Sequence, residues 1–173
     1  MRQKTAFTLA TWVILGVFLA LPAAAGEMGE AMAKNLAGVE DKLVQLAEAM
    51  PDDKFGWSPS EGVRTVSEAF MHVAGANLFF TARMTGTKPP PEARTLEKDV
   101  TEKAEVIAKL KESFAKVKGA LAKTDMNKPT KLFGGKEGTM GDMALIAVGH
   151  GHEHLGQLIA YARSNNVKPP WSN

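Results

Sequence analysis

The stretch MALIAVGHGHEHLGQLIAY, residues 143–161, decides how the chain folds. Met143, Ala147, His150, His154, Gln157 and Tyr161 follow one another in steps of four and three, the spacing of one face of an α-helix turned toward a core. Two of those core positions are histidines one helical turn apart, so both imidazoles project from the same inward stripe. An unsatisfied ring nitrogen in an apolar core costs about 1–3 kcal/mol. A divalent cation would use both lone pairs at once, and His72 is the candidate for a third ligand. Mutual hydrogen bonding across the turn and a chance surface pair that chelates metal only weakly are the competing explanations for the pair, the apolar stripe arguing against the second. A carbonyl-satisfied core histidine is the competing explanation for His72. His152 falls about 200° round the helix from His150 and is expected to face solvent.

Three further helical segments precede this one, and no strand-alternating run competes with them. Leu36, Val39, Leu43, Leu46 and Met50 keep a heptad-like stripe until Pro51-Asp52-Asp53 ends it. Thr65-x-x-Glu68 reads as a capping box opening a helix through Val66, Phe70, Val73, Phe80 and Met84, which Gly86 and Pro89-Pro90-Pro91 stop. A third helix is expected from Val100 through Ala104, Ile107, Phe114, Val117 and Leu121, with a solvated Lys/Glu face. Residues 130–136 are readable as a small hairpin around Gly134-Gly135 or as a plain loop, and Thr139-x-x-Asp142 caps the last helix. The predicted fold class is therefore all-α, a four-helix bundle.

The first 25 residues read as a secretory signal: Arg2 and Lys4, an apolar run from Ala6 to Leu21, and Ala23-Ala24-Ala25 before Gly26. That divides the chain into a signal at 1–25 and one domain at 26–173, exported to the bacterial periplasm with no stable membrane anchor after cleavage. A retained anchor is the competing reading, disfavoured because the apolar run falls short of the ~20 residues a spanning helix needs and is followed directly by the A-x-A pattern. Removing Arg2 and Lys4 turns 21 basic against 19 acidic residues into 19 against 19. A near-neutral domain without a clustered basic patch argues against nucleic acid as a partner. The absence of cysteine excludes disulfides, a thiol nucleophile and any thiolate metal site.

Several segments together resemble the DinB family of metalloenzyme-like proteins. They are Phe55-Gly56-Trp57-Ser58-Pro59, Thr65-Val66-Ser67-Glu68 leading to His72, His150-x-x-x-His154-Leu155-Gly156-Gln157-Leu158, Tyr161, Arg163 and Lys168-Pro169-Pro170. The resemblance spans nearly all of residues 26–173. It implies a bundle with up-down-down-up connectivity and a divalent metal, zinc or nickel, held by His72, His150 and His154. Some family members transfer low-molecular-weight cytosolic thiols, a pool that an exported chain would not meet.

Three imidazoles leave coordination positions open, as in catalytic rather than structural zinc sites. The expected activity is metal-dependent hydrolysis or group transfer on a small molecule. The alternative is a non-catalytic metal-binding or stress-associated interaction module, and a homodimer is left open. Glu68 and Gln157 are the weak catalytic candidates. For Glu68 the capping role is the simpler account, whereas Gln157, one turn beyond His154, suits a residue that orients a ligand or a substrate. Glu153 points about 100° away from His154, and Trp57 and Tyr161 are read first as residues closing the end of a core.

Overall fold

A computed structural model describes the backbone of residues 11–172 and the side chains of residues 26–172. Four long helices carry the chain: α1 (Thr11–Ala49), α2 (Val66–Thr85), α4 (Lys103–Leu121) and α5 (Met140–Ser164). A 3-10 turn at Pro91–Arg94 and the one-turn helix α3 (Leu96–Asp99) lie between α2 and α4. The strands β1 (Pro129–Lys131) and β2 (Glu137–Thr139) pair antiparallel between α4 and α5. Residues 1–10 of the expected signal fall outside the described residues, and α1 runs unbroken through the Ala25-Gly26 boundary. Among the described residues, no helix is long and apolar enough to cross a membrane.

Helix ends lie where local chemistry sets them. Thr65 Oγ1 accepts from the Glu68 amide at 3.2 Å while Glu68 Oε2 accepts from the Thr65 amide at 2.7 Å, so two otherwise orphaned donors are satisfied reciprocally. Thr139 and Asp142 repeat the arrangement at the start of α5. Gly86 closes α2 in the left-handed conformation at φ 72°. Of the two readings of 130–136, the hairpin is the one that forms, its turn using positive φ at Gly134 and Gly135.

Pairwise contacts establish the helix directions. Lys103, at the start of α4, donates to the Met50 carbonyl beyond the end of α1, and Lys118 near the end of α4 pairs with Glu40 further back, so α1 and α4 are antiparallel. Helices α2 and α4 run parallel, since Asn77 donates to Ser113 at 3.2 Å and Met84 and Ala120 share a crevice one to two turns on. Arg83, at the end of α2, bonds the Lys131 carbonyl ahead of α5, whereas Trp57, ahead of α2, packs on Tyr161 near the end of α5. Those two helices are therefore antiparallel. Gly151 abuts Leu36 and Val39, and Trp171 beyond α5 lies by Lys42, which sets α5 parallel to α1. The result is the up-down-down-up bundle.

Apolar stripes close the core: Leu36, Val39, Leu43, Leu46 and Met50 from α1 meet Phe70, Val73 and Phe80 from α2 and Met143, Ala147 and Leu158 from α5. The third long helix differs from expectation. Val100 is extended at φ −119° and ψ 102°, and α4 begins at Lys103. Its buried stripe is Val106, Leu110, Phe114, Val117 and Leu121, with Ala104 exposed. Leu96 and Val100, four apart and both buried, imitate a helical period across what is a break.

Gly75 allows the closest packing that bears on the site. A Cβ there would stand 2.5 Å from the Ala93 carbonyl oxygen, so the 3-10 turn lies directly on α2. Gly119 on α4 is exposed with nothing within 4 Å of the same position. The two alanine substitutions should therefore move stability in opposite directions. In urea denaturation Gly75→Ala is expected to lose about 1–3 kcal/mol through overpacking, and Gly119→Ala to gain about 0.5–1 kcal/mol from helix propensity.

Candidate metal centre

Helix α2 presents His72 and helix α5 presents His150 and His154 to the same half-buried point. Ring centroids are 5.1 Å apart for His72 and His150, 4.7 Å for His72 and His154, and 4.4 Å for His150 and His154. One nitrogen from each ring lies within 4.8 Å of the other two. The three residues that the spacing and the resemblance selected, with His72 and His150 78 positions apart in the chain, are thus brought together. His152 turns away, its Nε2 2.8 Å from Asn35 Oδ1 on α1, and Glu153 is exposed.

Two of the rings are held from behind. His72 Nδ1 lies 2.7 Å from Glu97 Oε1, and the other Glu97 oxygen accepts from Arg64 Nε at 2.7 Å. His154 Nδ1 lies 2.7 Å from Gln157 Oε1, and Gln157 Nε2 donates to the Tyr161 hydroxyl at 2.8 Å. Tyr161 in turn meets the Trp57 ring edge-on at 5.5 Å. Gln157 thus bridges His154 and Tyr161, and Trp57 and Tyr161 pack together beneath it. Glu68 does not reach His72. Its carboxylate serves the cap of α2, and it faces a cleft of about 650 Å³ that Gly62, Val63, Arg64, Glu97 and Gln157 also line.

Glu97 and Arg64 were not singled out in the sequence. Glu97 lies in α3, amid charged residues whose simplest reading is a solvated surface, and Arg64 precedes a cap. Only the tertiary approach of the 91–99 segment to α2 joins them to His72.

The donor set fits a cation. Acceptors behind His72 and His154 place those protons on Nδ1 and leave Nε2 with its lone pair. His72 Nε2 and His150 Nε2 are 3.1 Å apart. An ion bonded at about 2.0–2.1 Å holds two tetrahedral ligand nitrogens about 3.3–3.4 Å apart, so the observed spacing is close to a ligand edge. A single proton on His150 could serve one facing lone pair, while a cation serves all three.

Electrostatics point the same way. His150 is pushed down from 6.5 to about 4, first by burial and then by the charges His154, His72 and Arg64 would present to it. Burial also lowers His154, opposed by its Gln157 bond and by Glu153. Burial alone would raise Glu97, but the hydrogen bonds and charges of Arg64 and His72 prevail and hold it below 4.5. On the apolar side, the Phe80 ring stands 5.9 Å from His150, and Phe79 and Phe133 stack beside it at 5.7 Å.

Comparison with known proteins agrees with this architecture. A family model described as the DinB superfamily matches residues 35–158, an interval that contains all three histidines. A crystal structure titled as a DinB-like protein from Bacillus cereus ATCC 10987 superposes with a TM-score of 0.69 at 16% identity, covering 83% of this chain and 97% of that one. At that identity the likeness speaks for the fold. No match was found among curated proteins.

The lowered histidines give the metal-free protein a signed pH dependence. Between pH 6.5 and about 4 the unfolded chain binds a proton at His150 that the folded chain refuses, so stability falls as pH falls through that window. His154 acts in the same direction. The melting temperature of metal-free protein should decline from pH 6.5 to 5, above the range in which the carboxylates titrate. His150→Gln should flatten that decline.

Proposed function

The chain belongs to the DinB superfamily, and within it we propose that this protein holds one divalent metal ion through His72, His150 and His154 and uses it for hydrolysis or group transfer on a small molecule. The observation that carries the reading is the convergence of three imidazole nitrogens within 4.8 Å, two of them with their far nitrogens already paired. Bound there, the ion supplies Lewis acidity with coordination positions left open. Zinc and nickel both suit imidazole donors, and availability decides between them.

The chain's own groups do the rest. Burial keeps His150 neutral at ordinary pH, so its lone pair is available without first losing a proton. Gln157, bridging His154 and Tyr161, fixes the His154 ring and lines the cleft in which a small molecule would sit. The buried Phe80 ring, 5.9 Å from His150, covers that imidazole with apolar surface, which strengthens charge interactions beside it. Glu68 reaches the same cleft and offers a second carboxylate to a bound molecule.

Metal analysis and titration calorimetry on untagged protein test the reading. One ion per chain is expected. Replacing His72, His150 or His154 by Ala should weaken zinc binding by orders of magnitude, because each change leaves two protein ligands. His152→Ala should bind as the parent does, its ring being engaged with Asn35. Equal binding by the parent and by His150→Ala/His154→Ala would remove the basis of the proposal.

We further propose export to the periplasm, supported by Arg2 and Lys4, the apolar run from Ala6 to Leu21 and Ala23-x-Ala25. The described core residues of α1 begin at Leu36, so cleavage before Gly26 would leave the core stripe intact. Mass spectrometry of natively expressed protein should find an N-terminus at or near Gly26. Recovery of the uncut chain alone from the cytosol would defeat the assignment.

A further inference from the structure

We propose that Glu97, held by Arg64, is the positioning residue that makes His72 a metal ligand, by fixing the tautomer that turns the Nε2 lone pair toward the other two histidines. The inference rests on the metal reading above and adds a residue that lies on neither histidine-bearing helix.

A neutral imidazole carries one proton, and the partner of one nitrogen determines which nitrogen bears it. Glu97 Oε1 is 2.7 Å from His72 Nδ1, and an ionised carboxylate can only accept, so the proton is on Nδ1. Gln157 plays the matching part for His154, but an amide can rotate to present its NH₂ instead. A carboxylate has no such alternative, which makes Glu97 the firmer determinant. Its charge also raises the basicity of the opposite nitrogen.

Arg64 aims the carboxylate. Its Nε donates to Oε2 at 2.7 Å and its Nη2 donates to Oε1 at a longer 3.5 Å, so the two oxygens are held in place with Oε1 2.7 Å from His72 Nδ1. The base of the side chain is fixed as well. Leu96 and Val100, each 4% exposed, anchor the backbone on either side of Glu97. The preceding turn rests on α2 at Gly75, one turn past His72, where no Cβ could be accommodated. The segment from 91 to 100 therefore serves as a bracket that carries one carboxylate to one ring.

The test combines zinc titration calorimetry with ¹⁵N NMR of the histidine rings in metal-free protein, on Glu97→Ala, Glu97→Gln, Arg64→Ala and the neighbouring Lys98→Ala, with circular dichroism to verify folding. In the parent, His72 should carry its proton on Nδ1. Glu97→Ala should lose that preference and bind zinc about 10–100-fold more weakly. Glu97→Gln, which still offers an accepting oxygen, should keep the tautomer and recover part of the affinity, and a role in packing alone would not separate these two variants in the NMR signature. Arg64→Ala should fall between them, and Lys98→Ala should match the parent. Parent protein that takes up no zinc would overturn the metal reading and this inference together. Zinc binding by the parent that is unchanged in Glu97→Ala, or a His72 tautomer indifferent to residue 97, would overturn this inference alone.

Discussion

Three imidazole rings with centroids 4.4–5.1 Å apart, set between two helices of the bundle, are the constraint around which the rest of the molecule is arranged. Their nitrogens cannot all be satisfied by one another, since a ring that donates to its neighbour leaves another lone pair facing inward. The fold meets this cost by bringing an acceptor to the back of His72 and of His154 and by lowering the proton affinity of His150. What remains in front is a set of lone pairs whose natural complement is a cation. A buried polar group without partners would be a defect, and the same group with its back secured is a ligand.

That requirement accounts for where the irregular segments of the chain go. Helix stripes alone would bury Leu, Val and Phe at every inward position, as α1 and α4 nearly do. Helices α2 and α5 instead carry histidines that face one another, and the connections on either side of α2 are recruited to serve them. Residues 55–65 bring Trp57 against Tyr161 and place Arg64, and the 91–100 segment supplies Glu97. Gly75 is the enabling residue for the second of these, because a single methyl group there would hold the turn away from α2.

Much of this was legible in the sequence, and the reasons for what was not are physical. Periodic stripes and two Thr-x-x-acid boxes report on structure within a few residues, so the ends of α2 and α5 and the inward place of His150 and His154 could be read directly. His72 needed either chemistry, a third donor for an open site, or the family resemblance. Val100 misled because burial at i and i+4 also arises when an extended residue follows one turn of helix. Glu97 and Arg64 were invisible for a related reason. Their partnership spans 33 residues and is made by two non-periodic segments meeting over a glycine, and nothing local marks a carboxylate in a Lys/Glu-rich stretch as different from its neighbours.

The surroundings of the three histidines are asymmetric, and the asymmetry bears on what they can do. Beside His150 stands the Phe80 ring with Phe79 and Phe133 beyond it, while Arg64, Glu97 and Gln157, which contact the site or its supports, open onto a cleft of about 650 Å³. Apolar cover on one side lowers the local dielectric and strengthens the pull of a cation on whatever it polarises. Polar groups on the other side offer a small molecule hydrogen bonds at fixed positions. A purely structural metal site has no use for such a difference, since four protein ligands would close it on every side. Three converging histidines, an apolar wall beside His150 and a polar cleft lined by the residues that support His72 and His154 are the features on which the proposed hydrolytic or transfer reading rests.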